Sequence, residues 1–254
     1  MGYKLVIPAR YGSSRLPGKP LLTIAGKPLV VHVIERAREC QADEIILATD
    51  DERIRAACEP LGVRVLMTSG EHATGTDRLA EVARLMGWPD DTLVVNLQGD
   101  EPLIPADLLD RLADNLAAHP QAAIATLCTP IHSARDLFDP HVVKVVRDRV
   151  GFALYFSRAP IPWERDAFGM EADRHHDHAF RHLGLYAYRA GFLRSFAEWP
   201  EAPIEGLEKL EQLRALWQGA RIHVDVVAEP PGHGVDTPED LARVEAMLSR
   251  QNLL

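Results

Sequence analysis

The stretch that decides the fold is Pro8-Ala9-Arg10-Tyr11-Gly12-Ser13-Ser14-Arg15-Leu16-Pro17-Gly18-Lys19-Pro20. The apolar residues Leu5-Val6-Ile7 before it predict a short buried strand, and a dense helical pattern follows over residues 29–37. The stretch holds three cations, two glycines and two serines. Glycines let the backbone approach a ligand, free N–H groups donate to phosphate oxygens, and Arg and Lys neutralise their charge. The composition therefore predicts a polyphosphate-binding loop, with a solvated basic loop as the alternative.

Two well-known phosphate loops do not match this stretch. A Walker A loop has four residues between its glycines and Ser or Thr after the lysine. Here five residues separate Gly12 from Gly18, and Pro20 follows Lys19. The dinucleotide-binding fingerprint needs three glycines in six positions, and only Gly12 is available. The sequence therefore excludes both loop types.

Length and composition limit the class of protein. A chain of 254 residues can bury the core of one large α/β domain, with or without a subdomain. Its net charge of −9 argues against a nucleic-acid partner. The cysteines Cys40, Cys58 and Cys128 are scattered and form no C-x-x-C pair, which is typical of thiols in a reducing compartment. No apolar run approaches membrane-spanning length, so we expect a cytoplasmic protein with no membrane partner.

The first half of the chain alternates short apolar runs with helical patterns. Strands are predicted at residues 5–7, 45–48, 63–67 and 93–97, and helices at residues 29–37, 77–86 and 105–118, with Asp51 capping a further helix from Glu52. This alternation predicts right-handed crossovers and a mainly parallel sheet covered on both faces, a three-layer α/β fold. Ligands of such sheets bind beyond the carboxyl ends of the strands.

The second half has a different pattern. Residues 142–146 and 152–156 predict a hairpin, residues 160–179 a loop, 183–188 a strand, 207–217 a helix and 222–227 a strand. Thr237, Pro238 and Asp240 predict the start of a last helix. We therefore expect one domain over residues 1–254, with a nucleotide-binding core at 1–130 and 219–254 and an acceptor and dimerisation subdomain at 131–218.

Carboxylates in two predicted loops are candidate metal ligands. Asp100 follows the fourth strand, where it could hold Mg²⁺, which prefers one or two carboxylates plus phosphate oxygens, or cap a turn before Pro102. Asp236 precedes the last helix, where an acid is favourable to the helix dipole in any protein. The run His175-His176-Asp177-His178 has the composition of a metal cluster, but adjacent histidines on a loop more often form a solvated tip.

The loop at residues 8–20 resembles the signature of the sugar nucleotidyltransferases. Further blocks, in order along nearly the whole chain, extend the resemblance to those members that make CMP-Kdo from CTP and 3-deoxy-D-manno-octulosonate (Kdo). They include Val95-Asn96-Leu97-Gln98-Gly99-Asp100-Glu101-Pro102 and the segments at residues 48–51, 75–78, 142–145, 153–162, 182–186, 210–213 and 234–240. The resemblance implies a Rossmann-like nucleotidyltransferase fold, a homodimer, and CMP transfer to Kdo for lipopolysaccharide biosynthesis.

The resemblance also assigns roles to residues. It implies that Arg15, Lys19, Asp100 and Asp236 are catalytic, and that both aspartates bind Mg²⁺. The implied nucleotide-binding residues are Pro8, Ala9, Arg10, Ser14, Arg15, Lys19, Thr49, Thr74, Arg78, Gln98 and Gly99. The implied Kdo-binding residues are Gln98, Arg158, His182, Tyr186, Glu211 and Gln212. The usual family form carries Ser where this chain has Thr74, and a hydroxyl remains.

Several alternatives stay open on the residues alone. Another acidic sugar, such as an 8-amino Kdo analogue or a sialic acid, could replace Kdo as the acceptor. Nothing in the loop excludes uracil in favour of cytosine by physics alone. A non-catalytic nucleotide-binding module is a different class of function, although such a module has less need of two metal carboxylates. His182 and Tyr186 could equally be a core pair on one strand face.

Overall fold

A computed structural model describes residues 2–12, 16–165, 176–232 and 234–251. The strands are β1 Lys4–Ala9, β2 Thr23–Ile24, β3 Lys27–Pro28, β4 Glu44–Thr49, β5 Arg64–Met67, β6 Leu93–Asn96, β7 Ile124–Ile131, β8 Lys144–Arg147, β9 Ala153–Ser157, β10 His176–Arg189 and β11 Ile222–Val226. The helices are α1 Leu29–Ala37, α2 Glu52–Cys58, α3 Gly75–Leu85, α4 Ala106–Ala118, α5 Ala134–Phe138, α6 Ala190–Phe196, α7 Pro203–Glu208, α8 Gln212–Trp217 and α9 Pro238–Gln251. Across those ranges, no helix combines the length and apolar character that a bilayer crossing requires.

The chain divides into two compact units. The first comprises residues 1–113, 189–197 and 231–254, and the second comprises residues 114–188 and 198–230. This division differs from the expected boundaries at residues 130 and 219, because β7 and β11 both belong to the second unit. These two strands pair with each other in parallel, from Ile222 opposite Ile124 to Val226 opposite Cys128.

The first unit contains a parallel sheet in the order β6-β1-β4-β5. Leu5, Val6 and Ile7 of β1 are fully buried, as expected for a strand whose two faces are both covered. The predicted α/β class with a mainly parallel sheet is confirmed. Because β1, β4 and β6 run in the same direction, the loops that follow them emerge at one edge of this sheet.

Local capping fixes where three of the helices begin. The Asp51 carboxylate accepts a hydrogen bond from Arg53 N at the start of α2, as predicted. Thr74 and Asp77 form a reciprocal capping box at the start of α3. Thr237 and Asp240 exchange the same two bonds at the start of α9, which confirms the predicted helix start. These caps satisfy backbone N–H groups that have no partner within the helix.

The second unit is mainly antiparallel apart from the β7–β11 pair. The predicted hairpin is confirmed, with Lys144 opposite Ser157 and Val145 opposite Phe156 in β8 and β9. The predicted loop at residues 160–179 is wrong in its last part, because β10 begins at His176 and pairs with β7. Of the predicted histidine-rich cluster, His175 lies outside the described residues, and the described residues contain no group of three metal-binding side chains.

The predicted helix at residues 207–217 is also wrong, because two short helices occupy this region. Helix α7 ends at Glu208 and α8 begins at Gln212. Lys209 between them adopts a left-handed conformation with φ of 52°, which stops the first helix. The apolar periodicity continues across the break, so the pattern alone did not reveal it.

Candidate active site

A pocket of about 230 Å³ lies within the first unit. Its walls come from the end of β1, the loop before α3, the end of β6 and the loop before α9. It therefore lies where ligands bind in parallel sheets, beyond the carboxyl ends of the strands. The predicted site residues that line it are Pro8, Ala9, Arg10, Lys19, Thr74, Arg78, Gln98, Gly99, Asp100 and Asp236.

Lys19 joins the two predicted metal carboxylates inside this pocket. Its Nζ donates to Asp100 Oδ2 at 2.7 Å, to Asp236 Oδ1 at 3.0 Å and to the Val235 carbonyl at 2.9 Å. Burial alone would lower the pKa of Lys19, but the charge of Asp100 and hydrogen bonds to both aspartates outweigh it and raise that pKa. The ammonium is therefore held in its charged form, and it offsets the repulsion between the two carboxylates.

Backbone contacts explain why two aspartates so distant in sequence meet here. Val235 N donates to the Asp100 carbonyl at 2.8 Å, which ties the loop before α9 to the loop after β6. A Cβ on Gly234 would lie 3.3 Å from the same carbonyl, so the close approach favours glycine. Capping of α9 is left to Thr237 and Asp240, whose side chains satisfy the first N–H groups. The Asp236 carboxylate can thus face Lys19.

Gly99 lets the end of β6 lie directly against the end of β1. A Cβ at this position would come within 2.8 Å of the Pro8 carbonyl and 3.4 Å of the Ala9 Cβ. Real side chains do not tolerate a contact of 2.8 Å with a backbone atom, so only glycine allows this packing. The contact sets the backbone of Pro8 and Ala9 beside Gln98, and all of these residues line the pocket.

The residues present fit a magnesium ion. Two aspartate oxygens already converge on one cation, the Lys19 ammonium, and hard carboxylate oxygens are the ligands that Mg²⁺ prefers. Glu101 Oε2 is buried beside them with no hydrogen-bond partner among the described residues. Burial, together with the charges of Asp100 and Asp236, raises the pKa of Glu101 to about 8. The negative charge of the two aspartates exceeds the single positive charge of the ammonium between them, and such an excess favours the binding of a divalent cation.

Arg78 lines the pocket but is already engaged by protein groups. Its side chain is 3% exposed, and its guanidinium donates to Thr68 Oγ1 and, at 2.8 Å, to Asp50 Oδ2. These bonds join α3 to the loops after β4 and β5. An arginine with one paired and buried end can offer a ligand only its remaining N–H groups.

The remaining predicted nucleotide residues lie elsewhere. Thr49 does not line the pocket: it is fully buried at the end of β4, where its Oγ1 accepts from Asp51 N at 3.3 Å. Ser14 and Arg15 lie outside the described residues. Four further residues line the pocket without having been assigned a role: Pro20 and Gly75, which lie within the predicted loop and the matching segment at 75–78, and His72 and Ala73, which the sequence analysis missed.

His72 is the missed residue with functional chemistry. Its Nε2 lies 2.5 Å from Glu81 Oε2, and the same oxygen accepts from Ser69 N at 2.9 Å. Glu81 on α3 thereby orients the imidazole at the edge of the pocket. A single histidine two residues before a helix cap carries no signal of its own in the sequence. Only the nine-residue spacing to Glu81 could have suggested the pair.

The predicted acceptor residues other than Gln98 lie in the second unit. His182 Nε2 lies 3.0 Å from Thr126 Oγ1, and its ring packs edge-on against Phe156 at 4.8 Å and beside Tyr186 at 5.4 Å. Burial lowers the pKa of His182 to about 3, so its imidazole is neutral at physiological pH. Burial, with the charges of Tyr188 and Glu211, raises the pKa of Tyr186 well above its usual value.

Arg158 is held by the break between α7 and α8. Its guanidinium donates to the carbonyls of Glu208 at 2.6 Å, Pro140 at 2.8 Å and Lys209 at 3.4 Å. Its own carbonyl accepts from the fully buried Lys144 Nζ at 2.7 Å. Three of its five N–H groups are therefore committed to the backbone, and the arginine is fixed in place rather than loosely extended.

Comparisons with known proteins agree with this architecture. A family model described as cytidylyltransferase matches residues 5–222. A curated relative, the 3-deoxy-manno-octulosonate cytidylyltransferase of Hahella chejuensis (strain KCTC 2396), is 56% identical over 253 residues, which cover 98% of this chain and 99% of the relative.

Solved structures give the same result. A CMP:2-keto-3-deoxy-manno-octonic acid synthetase complexed with CTP is 42% identical, with a TM-score of 0.88 over 99% of this chain and all of its own. A cytidylyltransferase from Leptospira borgpetersenii serovar Hardjo-bovis (strain JB197) is 17% identical, with a TM-score of 0.63. The match covers 98% of this chain and 87% of that protein, and at this identity it supports a shared fold only. With the sheet, the pocket and these matches in agreement, the chain belongs to the cytidylyltransferase family.

Proposed function

We propose that this protein transfers CMP from CTP to the anomeric hydroxyl of Kdo, giving CMP-Kdo and pyrophosphate, for lipopolysaccharide biosynthesis. The observation that carries the proposal is the meeting of Lys19, Asp100 and Asp236 in the pocket at the carboxyl edge of the parallel sheet. The relative at 56% identity over nearly the full chain is itself a 3-deoxy-manno-octulosonate cytidylyltransferase, and the solved structure at 42% identity holds CTP.

The phosphate site is formed by the loop after β1 together with the two aspartates. The exposed Arg10 neutralises the charge of the α-phosphate, and Lys19 holds an oxygen of the β- or γ-phosphate. Ser14 and Arg15, outside the described residues, add contacts to the same phosphates. Asp100 and Asp236 would hold Mg²⁺, which would supply positive charge against the leaving pyrophosphate.

The nucleoside lies toward the other end of the pocket. Pro8, Ala9 and Gly99 bring backbone groups close to one another, where they can read the edge of cytosine. Thr74 and Arg78 flank the start of α3, and Gln98 contributes to the binding of both substrates. Transfer then needs positioning and charge neutralisation, with in-line attack of the sugar hydroxyl on the α-phosphorus and no covalent enzyme intermediate.

The acceptor residues recognise an acidic sugar. Arg158 offers its remaining N–H groups to the sugar carboxylate, because its other N–H groups are fixed by three carbonyls. The Thr126 hydroxyl donates to backbone carbonyls of β10, so the neutral His182 donates to it from Nε2, which leaves Nδ1 as an acceptor for a sugar hydroxyl. Tyr186, Glu211 and Gln212 complete this set.

The protein acts as a cytoplasmic homodimer in this proposal. The second unit exposes large apolar side chains that a partner copy could cover, among them Leu207 at 84% and Leu154 at 60%. The free thiols Cys40, Cys58 and Cys128 are consistent with a reducing compartment. Light scattering at micromolar concentration measures the mass and tests the dimer.

Pyrophosphate release tests the function. The enzyme is assayed with CTP, UTP and ATP in turn, each with and without Kdo and Mg²⁺, and with 8-amino-Kdo and a sialic acid as other acceptors. We expect release only with CTP, Kdo and Mg²⁺ together. Equal turnover with UTP or ATP contradicts the nucleotide assignment, and turnover only with another sugar corrects the acceptor. CTP binding without release under any condition indicates a non-catalytic nucleotide-binding module.

A further inference from the structure

Tyr11 lies between Arg10 and Lys19 in the loop after β1, and its backbone is fixed at both polar groups. Its N–H donates to Asp50 Oδ1 at 3.3 Å, and its carbonyl accepts from Gly18 N at 3.2 Å. The second bond brings residues 11 and 18, at the two ends of the loop, together. Arg10 and Lys19, which both line the pocket, directly flank these two ends.

The Tyr11 side chain adds contacts to Arg53 and Gly18. The Arg53 guanidinium lies 3.5 Å from the centre of the phenol ring, and Asp51 holds that guanidinium with bonds of 2.6 and 2.9 Å. The ring also covers Gly18, where an added Cβ would lie 3.1 Å from it. Gly18 has φ of 68°, so both its backbone conformation and the space under the ring require glycine.

We propose that Tyr11 is a positioning residue that holds Arg10 and Lys19 in register for the phosphates of the nucleotide; this role rests on the proposed function. Tyr11 is half-buried at the surface and belongs to no part of the hydrophobic core. Its contacts bring together the two ends of one loop and one exposed helix, α2. Residues that are held in place before the ligand arrives lose less freedom on binding, so Arg10 and Lys19 bind phosphate more tightly when the ends of their loop are fixed.

Asp50 links Tyr11 to Arg78, on another wall of the pocket. One of its oxygens accepts from Tyr11 N and the other from the Arg78 guanidinium, at 3.3 and 2.8 Å. Arg78 lines the pocket at the start of α3. Tyr11 is thus fixed relative to the part of the pocket where the nucleoside binds, as a positioning role requires.

The test compares four variants by calorimetric titration with CTP and by steady-state kinetics with each substrate varied. Tyr11→Ala keeps both backbone bonds but removes the ring that packs on Gly18 and under Arg53. We expect it to raise the Kd and KM for CTP about tenfold, since the two ends of the loop are then held less firmly, with the KM for Kdo within twofold of wild type. Tyr11→Phe keeps the ring and both backbone bonds and should bind CTP within about twofold of wild type. Arg53→Gln should raise the Kd about threefold, the effect of one exposed cation–π contact.

Arg55→Gln is the matched control, because Arg55 is an exposed arginine of α2 that pairs with Glu52 and Glu59 instead. It should leave the Kd for CTP unchanged. The positioning role is wrong if folded Tyr11→Ala binds CTP like wild type, or if the KM values for both substrates rise equally. If Tyr11→Ala does not fold, the test rests on Arg53→Gln. A Kd for CTP in Arg53→Gln equal to that in Arg55→Gln then overturns the positioning role.

The outcomes also separate this role from the proposed function. Turnover that does not respond to Tyr11→Ala or Arg53→Gln overturns only the positioning role. CTP binding that weakens in these variants, in an enzyme that releases no pyrophosphate, supports the positioning role and overturns only the transfer. A wild-type protein that does not bind CTP overturns both.

Discussion

Replacing Lys19 by methionine tests the electrostatic centre of the pocket. Methionine keeps an unbranched apolar stem of similar length and removes only the ammonium with its three hydrogen bonds. Asp100 and Asp236 then face each other without their shared cation, beside the buried carboxyl of Glu101. We expect a loss of stability in the absence of metal and a separate, larger loss of activity.

The size of the stability loss follows from exposure. The Lys19 side chain is 12% exposed and Asp100 33%, so their 2.7 Å bond counts as a partly buried charged hydrogen bond, worth about 1.5 kcal/mol. Asp236 is 46% exposed, and solvent screening reduces its pair with Lys19 to about 0.5 kcal/mol. Lys19→Met should therefore lower the free energy of unfolding by about 2 kcal/mol. Loss of charge stabilisation on the leaving pyrophosphate should lower kcat about a hundredfold, or about 3 kcal/mol.

Urea unfolding in EDTA and in Mg²⁺ measures the first effect, and pyrophosphate release at saturating CTP measures the second. Mg²⁺ should recover more stability in Lys19→Met than in wild type, because a divalent cation can then neutralise both carboxylates alone. Lys27→Met is the control: Lys27 pairs with Glu35 at 2.6 Å, but its side chain is 50% exposed. Its loss should stay below about 0.5 kcal/mol and should not depend on Mg²⁺.

Two results would refute this reasoning. If Lys19→Met unfolds at the same urea concentration as wild type in EDTA, the three bonds of Lys19 contribute nothing to stability. If kcat is near wild type and only the KM for CTP rises, Lys19 binds the nucleotide without stabilising the transition state. If Mg²⁺ raises the free energy of unfolding equally in wild type and Lys19→Met, Lys19 does not affect metal binding.

Three further predictions concern single side chains. Asp236→Asn should change the free energy of unfolding by less than about 1 kcal/mol, because one oxygen can still accept from Lys19. Its activity should fall steeply and recover in part at high Mg²⁺. A loss of activity that does not depend on Mg²⁺ would contradict a metal role. Arg158→Lys should raise the KM for Kdo and leave the KM for CTP nearly unchanged. It should also lower the free energy of unfolding by about 1–2 kcal/mol, because lysine cannot reach three carbonyls at once. An equal rise in the KM for CTP would place Arg158 in the phosphate site. Burial lowers the pKa of His182 from 6.5 to about 3, so its contribution to stability is complete above pH 6.5 and is lost as the pH falls toward 3, by at most about 1.4 kcal/mol per pH unit. In urea unfolding measured across this pH range, His182→Asn should remove this dependence of stability on pH. An unchanged dependence would show that His182 is not the group responsible.

Local signals made much of the fold predictable from the sequence. The apolar strands of the first unit, the Asp51 cap and the Thr237–Asp240 cap each depend on residues within a few positions of one another. The rule for parallel sheets then brought the loops after β1 and β6 to one edge, where the pocket lies. Family resemblance extended this to Asp236, whose sequence surroundings suggested only a helix start.

Interactions between distant residues were not predictable in the same way. The sequence offers Arg78 as a cation for a ligand, but its buried pairing with Asp50 depends on how α3 packs against the loop after β4. The resemblance implied that Thr49 binds the nucleotide, yet its side chain is fully buried. The break at Lys209 was hidden because the apolar period runs through it, and His72 gained its chemistry only from Glu81. In each case the missing information was a tertiary contact.

The commitment of Lys19 before any ligand binds has a consequence for the order of events in the pocket. Its three N–H groups already have three acceptors, so Lys19 can hold a phosphate oxygen only by releasing one of them. Asp236 is the acceptor most easily released, because its bond is the longest at 3.0 Å and its carboxylate the most exposed at 46%. When Asp236 is released from Lys19, the charges of Asp236 and Asp100 are no longer offset by a shared ammonium. The arrival of the triphosphate should therefore strengthen the binding of Mg²⁺ at the same carboxylates, and by thermodynamic reciprocity Mg²⁺ should strengthen the binding of CTP.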